Sequence, residues 1–160
     1  IAVVGKYTEL VDSYKSVHEA LIHGGIGNDV GVDISWLSSD LFTSSDRARE
    51  ILSSYHGLLV PGGFGVRGVE GMVEAIRAAR ETRLPFLGIC LGMQTAIIEF
   101  ARNVLRLDDS HSSEFAPRVV TGVLAKYARD VGSASRGAVT APGPLDVPKR
   151  IVTTLVTEPA

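Results

Sequence analysis

The chain has 160 residues, 45% of them hydrophobic, which suits one domain with a real core and argues against disorder throughout. A formal net charge of −2 leaves no nucleic-acid footprint, and no apolar stretch approaches a membrane span. The single cysteine excludes an internal disulfide and suggests a reducing, cytoplasmic setting.

The chain opens on Ile1, without a methionine and directly inside an apolar run. A strand is therefore expected there, not a signal peptide, and the sequence reads as a piece of something longer. Ile1 to Gly5 is short and continuously apolar, as in a strand buried on both faces. After a loop over residues 6–11, Asp12 or Ser13 is expected to cap a helix with Tyr14, Val17, Ala20 and Leu21 inward, stopped by Gly24 and Gly25. Val32 to Leu37 alternates and predicts a second strand, nearer the sheet edge. Ser44 to Tyr55 predicts a weaker helix with Ala48, Ile51 and Leu52 inward, and Gly57 to Val60 a third strand. A glycine-dense loop, Pro61 to Gly68, leads into a helix with Val69, Met72, Val73, Ile76 and Ala79 on one face. A fourth strand runs up to Cys90, and Met93, Ala96, Ile97, Phe100, Ala101 and Val104 then recur at helical period.

Four alternations of strand and helix with short connections predict an α/β fold: a doubly wound, mostly parallel sheet with helices on both faces. Ligands in such folds sit beyond the carboxyl ends of the strands, where both glycine-rich turns fall. One of them is Gly88-Ile89-Cys90-Leu91-Gly92, the cysteine form of a nucleophile elbow. A turn this tight strains the nucleophile, and a Cβ on either flanking residue would crowd it. The helix start behind Cys90 favours thiolate, and the N–H of Leu91 is placed to hold an oxyanion. A lone cysteine ending a core strand is also compatible with a buried structural role. The flanking glycines, the strand-to-helix switch and Gln94 one turn on favour the nucleophile.

The Gly62–Gly68 loop has three readings: a flexible turn, a phosphate cradle or an oxyanion hole. It lacks the lysine and hydroxyl of a P-loop, and its spacing misses the dinucleotide fingerprint. Facing a nucleophile, it fits best as an oxyanion hole, where backbone must approach a carbonyl closely.

Together these residues resemble the class I, triad-type glutamine amidotransferases, whose hallmark is Gly-x-Cys-x-Gly-x-Gln, here Gly88 to Gln94. Pro61 to Met72, Val4-Gly5-Lys6-Tyr7, Ile98 to Asn103 and Ser112 to Phe115 are similar to the glutaminase domain of the CTP synthase family. The resemblance covers residues 1–117 and implies a flavodoxin-like fold. It further implies that Cys90 attacks the side-chain amide of L-glutamine, forming a thioester and releasing ammonia. Gly63 and Leu91 would hold the oxyanion, while Gln94 and Glu114 bind the substrate. No metal or cofactor is implied in this domain. In the family, ammonia passes to an amidoligase domain of the same enzyme, where ATP and Mg convert UTP to CTP. GTP activates the enzyme, which is a homotetramer.

The family completes its triad with a His-x-Glu pair near the C-terminus, and this sequence contains none. Its histidines are His18, His23, His56 and His111, none at a family base position. Residues 118–160 are expected to lie outside the resemblance, partly disordered or a frame-shifted end. Five of the seven prolines fall beyond residue 115, and Gly132 to Pro148 reads as a loop. A poor glutaminase, or none at all, is therefore expected of this chain alone. The rival expectations are another cysteine hydrolase with the same elbow, and a non-catalytic fragment.

Overall fold

The computed structural model describes residues 1–6 and 11–112. Four strands, β1 (Ala2–Gly5), β2 (Ser35–Ser38), β3 (Leu58–Val60) and β4 (Phe86–Gly88), form one sheet in the order β2-β1-β3-β4. Every neighbouring pair is parallel, with Ala2 beside both Ser35 and Leu58, and Leu58 beside Phe86. Parallel neighbours need crossover helices, and these are α1 (Lys15–Gly27), α2 (Ser45–Leu52) and α3 (Val69–Thr82). A fourth helix, α4 (Leu91–Asn103), follows β4. The fold is the doubly wound class expected, with β2 at an edge.

Strand alternation divides the core. Ala2, Val4, Leu58 and Val60 join Ala48 and Leu52 of α2, and Met72, Ala75, Ile76 and Ala79 of α3, in one buried cluster. Leu37 packs against that cluster, so its neighbour Trp36 points to the other face, where it stacks on Tyr14 at 5.4 Å. Right-handed crossovers put α1 on that second face, opposite α2 and α3.

The inward positions expected of α3 are all buried. Three other expectations need correction. Helix α1 is preceded by a single 3-10 turn (Val11–Tyr14), so Tyr14, not Asp12 or Ser13, occupies the cap position, and Ala20 is exposed. Nor do Gly24 and Gly25 stop the helix, which runs to Gly27. Gly25 serves packing instead: a Cβ there would lie 2.6 Å from the Val32 side chain and 2.7 Å from the Val30 carbonyl. In α4 the buried side is Leu91, Thr95, Ala96, Ile98, Glu99 and Ala101, with Val104 exposed.

That rotation of α4 has an electrostatic cause. Glu99, 1% exposed, receives two hydrogen bonds from Arg80 Nε at 3.1 and 3.0 Å, a third from Arg80 Nη2 at 2.8 Å and one from Asn103 Nδ2 at 3.2 Å. The carboxylate is buried because it is paired, and the pair ties α4 to α3. Hydrogen bonding to Glu99 holds the Arg80 guanidinium above its ordinary pKa, against the opposing effect of burial.

Candidate active site

Strand β4 ends at Gly88 and α4 begins at Leu91, so the chain reverses through Ile89 and Cys90 alone. The turn is built by close backbone approach. A Cβ on Gly92 would lie 2.0 Å from the Val60 carbonyl oxygen, and one on Gly88 would lie 2.7 Å from the backbone of Gly92. The first turn of α4 is thus pressed against the ends of β3 and β4 at positions only glycine fills. Ile89 donates its N–H to Val60 at 2.9 Å, which continues the ladder one residue past β4.

Cys90 sits at the N-cap of α4 with φ 52° and ψ −104°, a left-handed conformation rare outside glycine. Such a residue costs on the order of 1–3 kcal/mol and persists only where its surroundings enforce it. Here the glycine contacts and two hydrogen bonds, Gly92 N–H to Ile89 at 2.9 Å and Gln94 N–H to Cys90 at 3.0 Å, provide the enforcement. The thiol is exposed, which removes the reading of a buried structural cysteine. Behind it lies the positive end of a helix dipole, whose first N–H groups lack intrahelical partners.

The glycine loop lies alongside. A Cβ on Gly62 would be 3.5 Å from the Cys90 Cβ, so the start of the glycine loop faces the elbow with about the room of one methyl group between them. Sheet order reverses between β1 and β3, and the loop leaves the sheet at that switch point, where α/β folds bind ligands. Gly63 is partly buried, Leu91 is buried and Gln94 is partly buried one turn into α4. Glu114 and residues 118–160 lie outside the described residues, as do Tyr7 to Leu10.

Of the histidines, His18, His23 and His56 are exposed, and His18 stacks on Trp36 at 6.4 Å. His111 is held by Arg102, whose Nη2 lies 3.0 Å from Nδ1 and 2.8 Å from Nε2. Arg102 also grips Glu70 at 2.8 Å and the Ser110 carbonyl at 2.9 Å. Arg102 is twelve residues along α4 from Cys90, about 18 Å of helix, so His111 is bound to the far end of the helix from the thiol. Among the described residues no group of three or more His, Cys, Asp or Glu is arranged to hold a metal ion, and no helix is long and apolar enough to cross a membrane.

Two features escaped the sequence reading. The pairing of Glu99 with Arg80 is one, and the position of Lys6 is the other. Lys6 is only 7% exposed, and its ammonium donates to the carbonyls of Phe64 (3.1 Å) and Gly65, both in the glycine loop. A lysine directly after a strand at the ligand-binding end was the available signal.

A strained, exposed cysteine at a strand-to-helix elbow beside a backbone-rich glycine loop defines a class, and comparison with known families agrees. The chain belongs to the glutamine amidotransferase class-I family, whose model matches residues 9–134. Within it, the chain is similar to CTP synthases. It is 55% identical to that of Granulibacter bethesdensis over 131 residues, 81% of this chain and 24% of the relative. It is 61% identical to that of Clostridium perfringens over 117 residues, 73% of this chain and 22% of the relative. Among solved structures, the glutaminase domain of Trypanosoma brucei CTPS with bound acivicin superposes with a TM-score of 0.71 at 40% identity, covering 76% of this chain and 47% of that one. The chain thus spans about a quarter of the length of the curated relatives it matches, 24% for the first of them.

Proposed function

We propose that the chain is the glutamine-hydrolysing, ammonia-supplying part of a CTP synthase. The observation that carries the reading is the strained, exposed Cys90 at the start of α4, faced by the Gly62 end of the glycine loop. The thiolate of Cys90 attacks the side-chain amide carbon of glutamine, and the carbonyl π electrons move to oxygen. The N–H groups of Gly63 and Leu91 hold that oxyanion. On collapse the C–N bond breaks, the nitrogen takes a proton from solvent water and leaves as ammonia, and a γ-glutamyl thioester remains on Cys90. Water then cleaves the thioester, giving glutamate and the free thiol. Gln94 and Glu114 hold the substrate, the carboxylate of Glu114 pairing with its α-ammonium group.

In the complete enzyme the ammonia passes to an amidoligase domain, where ATP, with Mg, activates UTP for amination to CTP, with GTP as activator and a homotetramer as the assembly. The glutaminase domain itself needs no metal or cofactor for the steps above, and its setting is cytoplasmic. The 160 residues contain no His-x-Glu pair. Both half-reactions are therefore slowed in this chain, because protonating the leaving nitrogen in acylation and activating water in deacylation are the tasks of a histidine base.

The test joins this segment to the amidoligase domain and to later residues that restore a His-x-Glu pair. Cys90→Ser abolishes glutamine-dependent CTP formation and leaves ammonia-dependent CTP formation intact. Parallel loss of both activities would contradict the assignment of Cys90 to ammonia supply.

A further inference from the structure

Among the described residues, the glycine loop after Gly63 is held chiefly by Lys6. Phe64 is 79% exposed and Val66 62%, so the stretch after Gly63 has little apolar burial to fix it. Its ion pair, Arg67 to Asp40, is exposed and long at 3.8 Å, a geometry worth little. Glycine has more backbone freedom than any other residue, so Gly63 cannot hold its own peptide planes in place. It does lie between two anchors. On one side Pro61 is fully buried at the end of β3. On the other, Lys6 reaches across from the end of β1 and donates to the carbonyls of Phe64 and Gly65. Burying an ammonium is costly unless acceptors meet it, and an ammonium has three donors to place. Each peptide unit is planar, so fixing the Phe64 and Gly65 carbonyls fixes the Phe64–Gly65 and Gly65–Val66 planes, which leaves one peptide plane between them and the unit carrying the Gly63 N–H.

We propose that Lys6 is a positioning residue for the oxyanion hole, tethering the loop so that the Gly63 N–H faces the oxygen of the carbonyl under attack by Cys90. The inference rests on the glutaminase reading, and it assigns to Lys6 no contact with substrate. Its distinctive consequence is a split between two reactions of the same thiol. Alkylation by iodoacetamide is a displacement that forms no oxyanion, so it needs no oxyanion hole. Acylation by a γ-glutamyl p-nitroanilide passes through a tetrahedral oxyanion and does need one.

The experiment compares both rates at Cys90 in the purified 160-residue chain and in Lys6→Met and Lys6→Arg. Lys6→Met keeps the stem and loses every donor, so acylation falls about tenfold to a hundredfold while alkylation stays within about twofold of the unaltered chain. Lys6→Arg keeps a charged donor and recovers most of the acylation rate. If circular dichroism shows Lys6→Met unfolded, Lys6→Gln, with a shorter amide donor, replaces it and the same ratio of rates decides. Unchanged acylation in the folded variant, or an equal fall in both rates, overturns the role of Lys6 alone. An unaltered chain that is alkylated but never acylated overturns the glutaminase reading, and the proposal with it.

Discussion

The elbow and the glycine loop meet at one site, yet they are held in place by different physics. The elbow is locked by steric contact. Backbone atoms of Val60 and Gly92 stand where any Cβ would go, and the strain at Cys90 is enforced from both sides. The glycine loop is instead tethered, by Lys6 on its carbonyls and by Gly68, at φ 73°, set down over the buried Ser39 side chain. Steric contact between backbones yields little, whereas a tether transmits the loss of a single side chain. The Cys90 elbow is therefore expected to tolerate almost no change in its immediate frame, and the loop to respond to changes far away in sequence.

The largest effect belongs to the locked side. Gly92→Ala drives a Cβ to 2.0 Å from the Val60 carbonyl oxygen and 2.8 Å from its carbon, both backbone, so no side chain can yield. A loss of more than about 3 kcal/mol in denaturant unfolding is expected, at the upper end for overpacking. A loss below about 1 kcal/mol would show that the elbow can relax and that the contrast with the loop is wrong.

Next comes the bond that sets how α4 sits. Glu99→Ala strands the Arg80 guanidinium, and breaking a buried pair costs about 3–5 kcal/mol when both partners are fully buried. The Arg80 side chain is 24% exposed, so a value of roughly 2–3 kcal/mol is expected. Replacing both partners, Arg80→Met with Glu99→Leu, should recover most of that loss, because the desolvation of two charges disappears with them. If the double variant is no more stable than the single one, the pair contributes through packing and not through charge.

A smaller, pH-dependent term sits on the exposed side of α3. Hydrogen bonding from Arg77, then its charge and those of Arg49 and Arg80, holds the Glu81 carboxyl below the usual carboxylate range. A depressed folded pKa means the unfolded state binds the proton first as pH falls, so this contribution is complete above the unfolded value and is lost as pH drops through the folded one. The side chain is 30% exposed, and the term is worth about 0.5 kcal/mol. Unfolding of Glu81→Gln and the unaltered chain, compared at neutral and acid pH, should show a difference that closes on acidification. A difference that widens in acid would reverse the sign of the argument.

The smallest effect tests the tether from its exposed end. Phe64 is largely solvated, so Phe64→Ser should shift stability by less than about 0.5 kcal/mol, since its backbone carbonyl and the bond from Lys6 remain. A loss above about 1 kcal/mol would mean that the loop is held by side-chain packing after all.

These contrasts also explain what the sequence disclosed. Strands β1, β3 and β4, the inward face of α3 and the Cys90 elbow all follow from residues adjacent in the chain, through apolar runs, helical period and paired glycines. The expected face of α4 included Phe100 and Val104, whereas the buried positions include Glu99, because Arg80 of α3 supplies a charge that periodicity cannot register. Helix α1 overran Gly24 and Gly25 because glycine admits close packing as readily as it ends a helix. For Lys6 the sequence offered only its place directly after a strand, since its acceptors lie 58 and 59 residues further along and come close through the pairing of β1 with β3. Local chemistry was readable, and long-range polar contact was not.

The central claim is that Cys90, beside the Gly62–Gly63 backbone, is a nucleophile for the glutamine side chain. Its most direct test is mass spectrometry of the purified chain quenched in acid after mixing with glutamine, with peptide mapping and a Cys90→Ala control. The account predicts a γ-glutamyl adduct on the peptide carrying Cys90, formed with one equivalent of ammonia and absent from the control. Glutamine left intact by a folded chain whose Cys90 remains alkylatable would contradict it.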